Sequence, residues 1–331
     1  MTEVYDLECL SNLFTYTGYN YKEDNWYVFV ISDWRNDTDA LKKHLDSLKL
    51  MIGFNNEKYD YPLLHHFINH YKEYKNKSGQ FIAQDLYVKS QEIINMEFSA
   101  IADKNKFIFQ IDLFLIWGYN NKNKMTSLKD IEFAMRMTNV EEMPLNHDHW
   151  CIESDTDMIL QYNKNDVLAT YLFFEITRGN TDNPLYKGKD KLALRLKLYN
   201  KFKIPCINYP DVKMGEQLIL DLYCKDTGKD KWELKKKGGT QRPIINLKDC
   251  IPHWAIFKSK EFNNIKSKFE NTSITSIKGA FDESIIFHNF KLDYGTGGLH
   301  GCIKPGIYEA DDYWTIIDQD IGSIVAQLKL N

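Results

Sequence analysis

No two cysteines in this chain stand at CxxC spacing, and the six present (Cys9, Cys151, Cys206, Cys224, Cys250 and Cys302) are scattered. That argues against a zinc ribbon and a disulfide framework and leaves reduced, structural thiols as the expectation. No apolar run approaches the ~18 residues that a membrane span needs, so no membrane partner is expected. The opening MTEVYDLECL lacks the charged-then-apolar pattern of an export signal, which points to the cytoplasm. A glycine-rich GTGGLHG stretch is present, but it lacks the Lys-Ser/Thr of a nucleotide P-loop. His65, His66 and His70 share one helical stretch without the glutamate of HExxH or a third ligand, which argues against zinc there. His147 and His149 sit in a loop with nothing to specify a role. Internal repeats and low-complexity tracts are absent.

What the chain does hold is material for two ordinary domains. Its 331 residues are 43% hydrophobic and 14% aromatic, too apolar for disorder. The net charge of −4 hides an asymmetry. Residues 187–268 carry 20 Lys/Arg against 9 Asp/Glu, an excess of +11, so the remainder carries −15. An acidic N-terminal part joined to a basic middle suits a protein that holds divalent metal in one region and grips a polyanion with another. A lysine-rich solvated surface is the alternative reading.

Residues 2–32 read as three strands, the first starting at Val4, the second over Asn12 to Gly18 and the third over Trp26 to Ser32. Turn-rich NYKEDN separates the last two. Leu41, Leu45 and Leu48 fall at helical spacing within Asp39 to Leu48. A short strand is expected over Leu50 to Phe54, a helix over Tyr61 to Tyr74 and a strand over Phe107 to Leu115. A helix over Ser127 to Met137, capped by Thr126 or Ser127, and a long helix over Asp155 to Thr177, closed by Gly179, come next. These compose an α/β fold, a small mixed sheet with interleaved helices. NTDNPLYKGKDK is polar and turn-rich, which places a boundary after residue 180. Lys191 to Lys203 and Lys213 to Lys225 read as helices beyond it, followed by mixed loops and strands.

Three short motifs carry the chemistry. Asp6 and Glu8 stand two apart on an apolar strand, so both side chains project to one face. Adjacent carboxylates repel unless cations neutralise them, and an oxygen-seeking divalent ion such as Mg²⁺ or Mn²⁺ is the natural neutraliser. In GFNNEKYDYPLL an apolar strand ends in Asn55, and Tyr59-Asp60 opens an apolar helix. Taken alone, Asp60 is a helix N-cap. In YNKND, Tyr162 and Asp166 stand at i and i+4 and share a helix face. Each motif alone has an ordinary structural reading.

Taken in order, the three motifs resemble those of the DnaQ-like (DEDDy) 3′→5′ exonucleases, in the form fused to DNA polymerases of family B and related phage polymerases. Asp-x-Glu is matched by Asp6 and Glu8, Asn-x(2–3)-Phe/Tyr-Asp by Asn55, Tyr59 and Asp60, and Tyr-x(3)-Asp by Tyr162 and Asp166. Such domains often carry an Asp and a Ser-Leu-Lys between the last two motifs; Asp112 and Ser127-Leu128-Lys129 stand there. The resemblance covers residues 1–180 and implies a ribonuclease H-like fold and proofreading during DNA replication. It implies two Mg²⁺ or Mn²⁺ ions among Asp6, Glu8, Asp60 and Asp166, with Tyr162 orienting the attacking water. Asn55 and Lys129 would contact DNA, and Leu7, Phe14 and Phe54 would wedge or stack the frayed 3′ bases. For Tyr5, core packing is the better expectation. A phage source would place the protein in the host cytoplasm.

The tail holds a second resemblance. GTGGLHG over residues 295–301, followed by DQDIGS over 318–323, is similar to the entry to the palm of phage DNA polymerases. Asp320 would be the metal ligand there, with Asp318 the alternative; Val325-Ala326 depart from the usual Tyr-Pro. The organisation expected is an exonuclease domain over 1–180, a basic connecting and DNA-path segment over 181–290, and an incomplete palm over 291–331. Only 11 residues follow Asp320, so synthesis by this chain alone is not expected. Lys235-Lys236-Lys237-Gly238-Gly239 is a candidate phosphate contact. The partners implied are single-stranded 3′ ends, primer-template DNA, the remainder of a polymerase and other replisome proteins. The competing readings are a polymerase subunit completed by a second chain and a non-catalytic DNA-binding module.

Overall fold

The computed structural model describes residues 1–97, 99–146, 148–237, 243–275, 282–287, 290–295, 298–302, 307–313 and 315. The chain forms two compact units, Met1–Lys231 and the part from Trp232 on. Asp320, with the rest of the expected palm strand, lies outside the described residues, as do Gly238 and Gly239.

The first unit is built on a five-stranded mixed sheet of order β3-β2-β1-β4-β5. Its strands are β1 (Thr2–Leu10), β2 (Leu13–Asn20), β3 (Asn25–Ile31), β4 (Leu50–Gly53) and β5 (Phe109–Asp112). β1, β2 and β3 form an antiparallel meander, and β4 and β5 run parallel to β1 on its other side. Helices α1 (Thr38–Ser47), α2 (Asp60–Tyr74) and α3 (Gly79–Asn95) join them. Then come α4 (Leu113–Trp117), α5 (Leu128–Ala134), α6 (Thr156–Thr177), α7 (Lys191–Phe202) and α8 (Asp211–Thr227). The second part adds α9 (Lys231–Lys237), β6 (Ile244–Asn246), α10 (Lys260–Glu270), β7 (Ser273–Thr275), β8 (Asp282–Phe287), β9 (Phe290–Gly295) and β10 (Gly298–Cys302). There β6 pairs with β7, and β8, β9 and β10 form an antiparallel sheet.

β1 lies at the centre because both of its faces are apolar. Tyr5, Leu7 and Cys9 pack with Leu41 and Leu45 of α1, Leu64 and Phe67 of α2, and Ile82 and Leu86 of α3. On the opposite face Val4 packs with Ile52, Val167 and Phe173, and Leu10 with Val30, Cys151 and Ile159. Burying each such side chain is worth about 1.5–3 kcal/mol, so β1, with buried apolar side chains on both faces, is a central contributor to the stability of this unit. Asp6 and Glu8 interrupt the second face between Val4 and Leu10.

Four local findings differ from the expectations. The apolar run Phe107 to Leu115 is not one strand. Asp112 accepts hydrogen bonds from the amides of Phe114 and Leu115, and this cap turns the chain into α4 directly after β5. A helix not foreseen, α3, is capped by Ser78, which accepts from Phe81 N. Asp60 is the first residue of α2 and not its cap; the cap position is Tyr59, which makes no side-chain bond there. The first compact unit also continues past residue 180, to Lys231. Its bolt is Arg195, 0% exposed. That guanidinium donates to the carbonyls of Lys191 (2.9 Å), Ile116 (3.1 Å) and Tyr209 (2.7 Å) and to Asp211 Oδ1 (2.9 Å). Asn208 closes the open edge of β5, donating to Gln110 O and accepting from Asp112 N, both at 3.0 Å.

Among the described residues no helix is long and apolar enough to cross a membrane. Cys9, Cys151, Cys206, Cys224 and Cys250 are free thiols.

Candidate metal centre

The pleat of β1 points Asp6 and Glu8 at α6, and α6 returns Tyr162 and Asp166 toward them. Oxygen atoms of Asp6, Glu8 and Asp166 lie within 4.8 Å of one another. Asp60 enters from the start of α2. All four carboxylates line one cleft of about 730 Å³, with Leu7, Phe54, Asn55 and Tyr59. Glu8, Asp60 and Asp166 are buried and Asp6 is half-buried.

Each side chain is held by a named neighbour. Asn163 Nδ2 donates to Asp6 Oδ2 at 2.6 Å. Lys129 Nζ donates to Asp166 Oδ1 at 2.5 Å and to Glu132 Oε1 at 3.2 Å. The same ammonium stands 4.6 Å over the ring of Tyr162. Lys129 reaches this place because Ser127 and Asp130 form a reciprocal capping box that starts α5 one residue before it. The loop that delivers Asp60 is fixed from beneath by Asp112, which accepts from Asn55 N (3.0 Å) and Glu57 N (3.1 Å). Asn55 adopts a left-handed backbone, φ 61°, which asparagine tolerates better than other side-chain-bearing residues.

The electrostatics result from burial and crowding. Burial, then the charges of Asp60, Glu8 and Asp166, hold the Asp6 carboxyl well above the usual range. Burial and the charges of Asp166 and Asp60 do the same to Glu8. Burial pushes Asp60 up to about 7, although the amides of Asp60 itself and Leu7 draw it back. Asp166 is raised by burial and partly relieved by its hydrogen bond to Lys129. Tyr162 is raised by burial and then by the charges of Asp166, Glu8 and Asp6, so its phenol stays protonated.

A divalent cation fits this donor set. These four carboxylates share the cleft with Asp130 and Lys58, and among the described residues only one ammonium, that of Lys129, is bonded to any of the four. Buried like charges of this kind are compensated by a metal or by protons. The donors are all oxygen, which favours Mg²⁺ or Mn²⁺ over softer ions. Near them Thr15 and Thr17, opposite Glu8 and Asp6 on β2, have buried hydroxyls without a hydrogen-bond partner among the described residues.

Of the residues named from sequence, the structure brings Asp6, Glu8, Asp60, Asp166, Phe54 and Asn55 to the cleft; Leu7 borders it, but its side chain is buried in the core with α1–α3. Tyr162 lies beside the carboxylates whose charges raise it, and Lys129 bonds Asp166. Phe54 packs edge-on to Phe114 at 5.5 Å. Phe14 is not at the site; it is fully buried among α1–α3 on the other side of the sheet. Tyr5 is likewise in the core, its hydroxyl donating to Gln110 Oε1 at 3.0 Å. Asn163 escaped the sequence reading because its neighbours in YNKND gave no reason to choose it; it stands three residues before Asp166 and so shares that face. No protein-family model matches the chain, and no curated protein matches it.

Proposed function

We propose that this chain is a metal-dependent 3′→5′ exonuclease of the DnaQ-like kind, with a ribonuclease H-like first unit, acting on single-stranded or frayed DNA ends as the proofreading part of a replicative polymerase. The observation that carries the reading is the convergence of Asp6, Glu8 and Asp166 oxygens within 4.8 Å in the cleft that also takes Asp60. A mixed sheet with helices on both faces agrees with it.

The reaction is attack of water on the terminal phosphodiester, breaking the bond to the leaving 3′-oxygen and releasing a nucleoside monophosphate. Mg²⁺ or Mn²⁺ bound by Asp6, Glu8, Asp60 and Asp166 would supply the acidity that water lacks at neutral pH and offset the charge of the leaving oxygen. The chain's own residues do the rest. Tyr162, kept protonated, donates a hydrogen bond and is unsuited to act as a base. Asn163 fixes the rotation of Asp6, and Lys129 fixes that of Asp166. Phe54 and Asn55 line the cleft where the terminal base and its phosphate would lie.

The test is digestion of 5′-labelled linear single-stranded DNA in Mn²⁺, with circular DNA as control. Linear DNA is expected to shorten from its 3′ end while circles survive. Asp6→Ala and Asp166→Ala are expected to cut the rate by at least about 100-fold, a loss of several kcal/mol of transition-state stabilisation. An Asp6→Ala protein as fast as wild type would refute the site.

A further inference from the structure

The first unit has a second cavity, of about 650 Å³, that the proposed nuclease reaction does not use. Its walls come from β5, the segment around Lys106, α7 and the α7–α8 connection. It shares only Asn120 with the lining of the carboxylate cleft.

Its floor is polar and buried. Glu57 and Lys106 pair there at 2.5 Å. Lys106 Nζ and Asn208 Nδ2 both bond Oε1 of Glu57, and among the described residues no donor bonds its Oε2. The rim is apolar and open, with Phe109, Leu196 and Tyr199 all exposed. Lys213 also lines the cavity. Its ammonium stands 4.1 Å over the Tyr209 ring and has no carboxylate partner among the described residues. A pocket of ~300–1,000 Å³ with apolar walls and a few convergent polar groups is the usual form of a small-molecule site.

The three features ask for one kind of molecule. Oε2 of Glu57, without a donor among the described residues, can accept an N–H from a ligand in the cavity. Phe109 and Tyr199 offer flat apolar faces to a ring. Lys213 offers an ammonium to an anion at the rim. We propose that this cavity binds a nucleoside monophosphate, its base between the rim side chains with an N–H on Glu57, and its phosphate on Lys213. The pocket holds no stripe of cations, so it suits a free mononucleotide rather than a strand. The site stands apart from the carboxylate cleft, and failure of the nuclease reading leaves it untouched.

Isothermal titration of the full chain with dGMP in EDTA tests this, since without metal the carboxylate cleft repels phosphate. Wild type is expected to show one saturable site, with deoxyguanosine and deoxyribose 5-phosphate each at least about tenfold weaker. Lys213→Ala, at an exposed position, is expected to weaken dGMP about tenfold, and Leu196→Trp, which fills the cavity from the exposed face of α7, to abolish binding. Asp6→Ala is expected to bind as wild type. Absence of saturable binding at millimolar dGMP overturns the proposal. So does binding that Leu196→Trp leaves unchanged, or binding that Asp6→Ala removes.

Discussion

Without metal, the carboxylate cluster should make the protein less stable as pH rises, and Asp60 shows by how much. Its carboxyl lies near 7 in the folded chain against an ordinary 3.8. The folded state thus keeps a proton that the unfolded state releases at lower pH. Stability from this group is complete below about pH 4 and is lost as pH climbs through 7. At about 1.4 kcal/mol per pH unit, that interval is worth about 4 kcal/mol, a large part of a typical ~5–15 kcal/mol total. Asp6, Glu8 and Asp166 are raised too and act in the same direction. The assay is thermal unfolding in EDTA between pH 4.5 and 8, comparing wild type with Asp60→Asn. Asp112 and Glu57, also raised, remain in both proteins, as do Asp6, Glu8 and Asp166, so the difference isolates the Asp60 carboxyl and its coupling to its neighbours. Between pH 4.5, already above 3.8, and pH 8 about 3 kcal/mol of this is lost, so the wild-type Tm should fall relative to the variant by about 6–13 °C, at ~2–4 °C per kcal/mol for a unit of this size. Saturating Mn²⁺ should recover about 3 kcal/mol at pH 8 and much less at pH 5, where protons compete for the same oxygens. A Tm difference between the two proteins that is the same at both ends of the pH range would refute the reasoning. So would equal stabilisation by Mn²⁺ at pH 5 and pH 8.

Three further outcomes are expected. Asp112→Ala leaves four backbone amides without their acceptor; denaturant titration should show a loss of about 3–6 kcal/mol, and nuclease activity should fall as the loop carrying Asp60 loosens. Arg195→Met strips the bonds that bolt α7 and α8 to the sheet unit; it should cost about 3–5 kcal/mol, and limited proteolysis should then cut between residues 180 and 231 before the sheet is degraded. Lys129→Met removes the ammonium that compensates Asp166, so half-maximal activity should need a higher pH, while Lys129→Arg should restore much of the wild-type profile.

The site was legible where chemistry and geometry coincide within a few residues. Asp6 and Glu8 share a face because strands alternate, and Tyr162 and Asp166 share one because helices repeat every 3.6 residues. β1 was legible as a short apolar run bounded by turns, and α6 by its length and helical spacing. The rest depended on contacts that sequence order conceals. Phe107 to Leu115 is apolar throughout, and only the amide-binding carboxylate of Asp112 decides where strand yields to helix. Phe14 and Phe54 are alike as residues, yet the pleat of β2 sends one to the core, and the turn after β4 brings the other to the cleft. The polar stretch after residue 180 looks like a linker; the guanidinium of Arg195, bonded to Ile116 far back in the chain, keeps α7 and α8 in the same unit as the sheet. Asn163, on α6, carries no signal until Asp6 is seen within its reach.

The place of β1 in the sheet also bears on how the chain is made. β1, β2 and β3 precede α2 and α6 in the chain, and their antiparallel pairing is local, so this meander can form before those helices are made. It presents Asp6 and Glu8 on a half-covered face before α2 has brought Asp60 or α6 has brought Asn163 and Asp166. Until then that face has neither its apolar cover nor its counter-groups, and water must solvate it. The proposed chemistry therefore cannot appear before the last layer of the unit has docked, and a nascent chain would have no nuclease to turn on the cell until then.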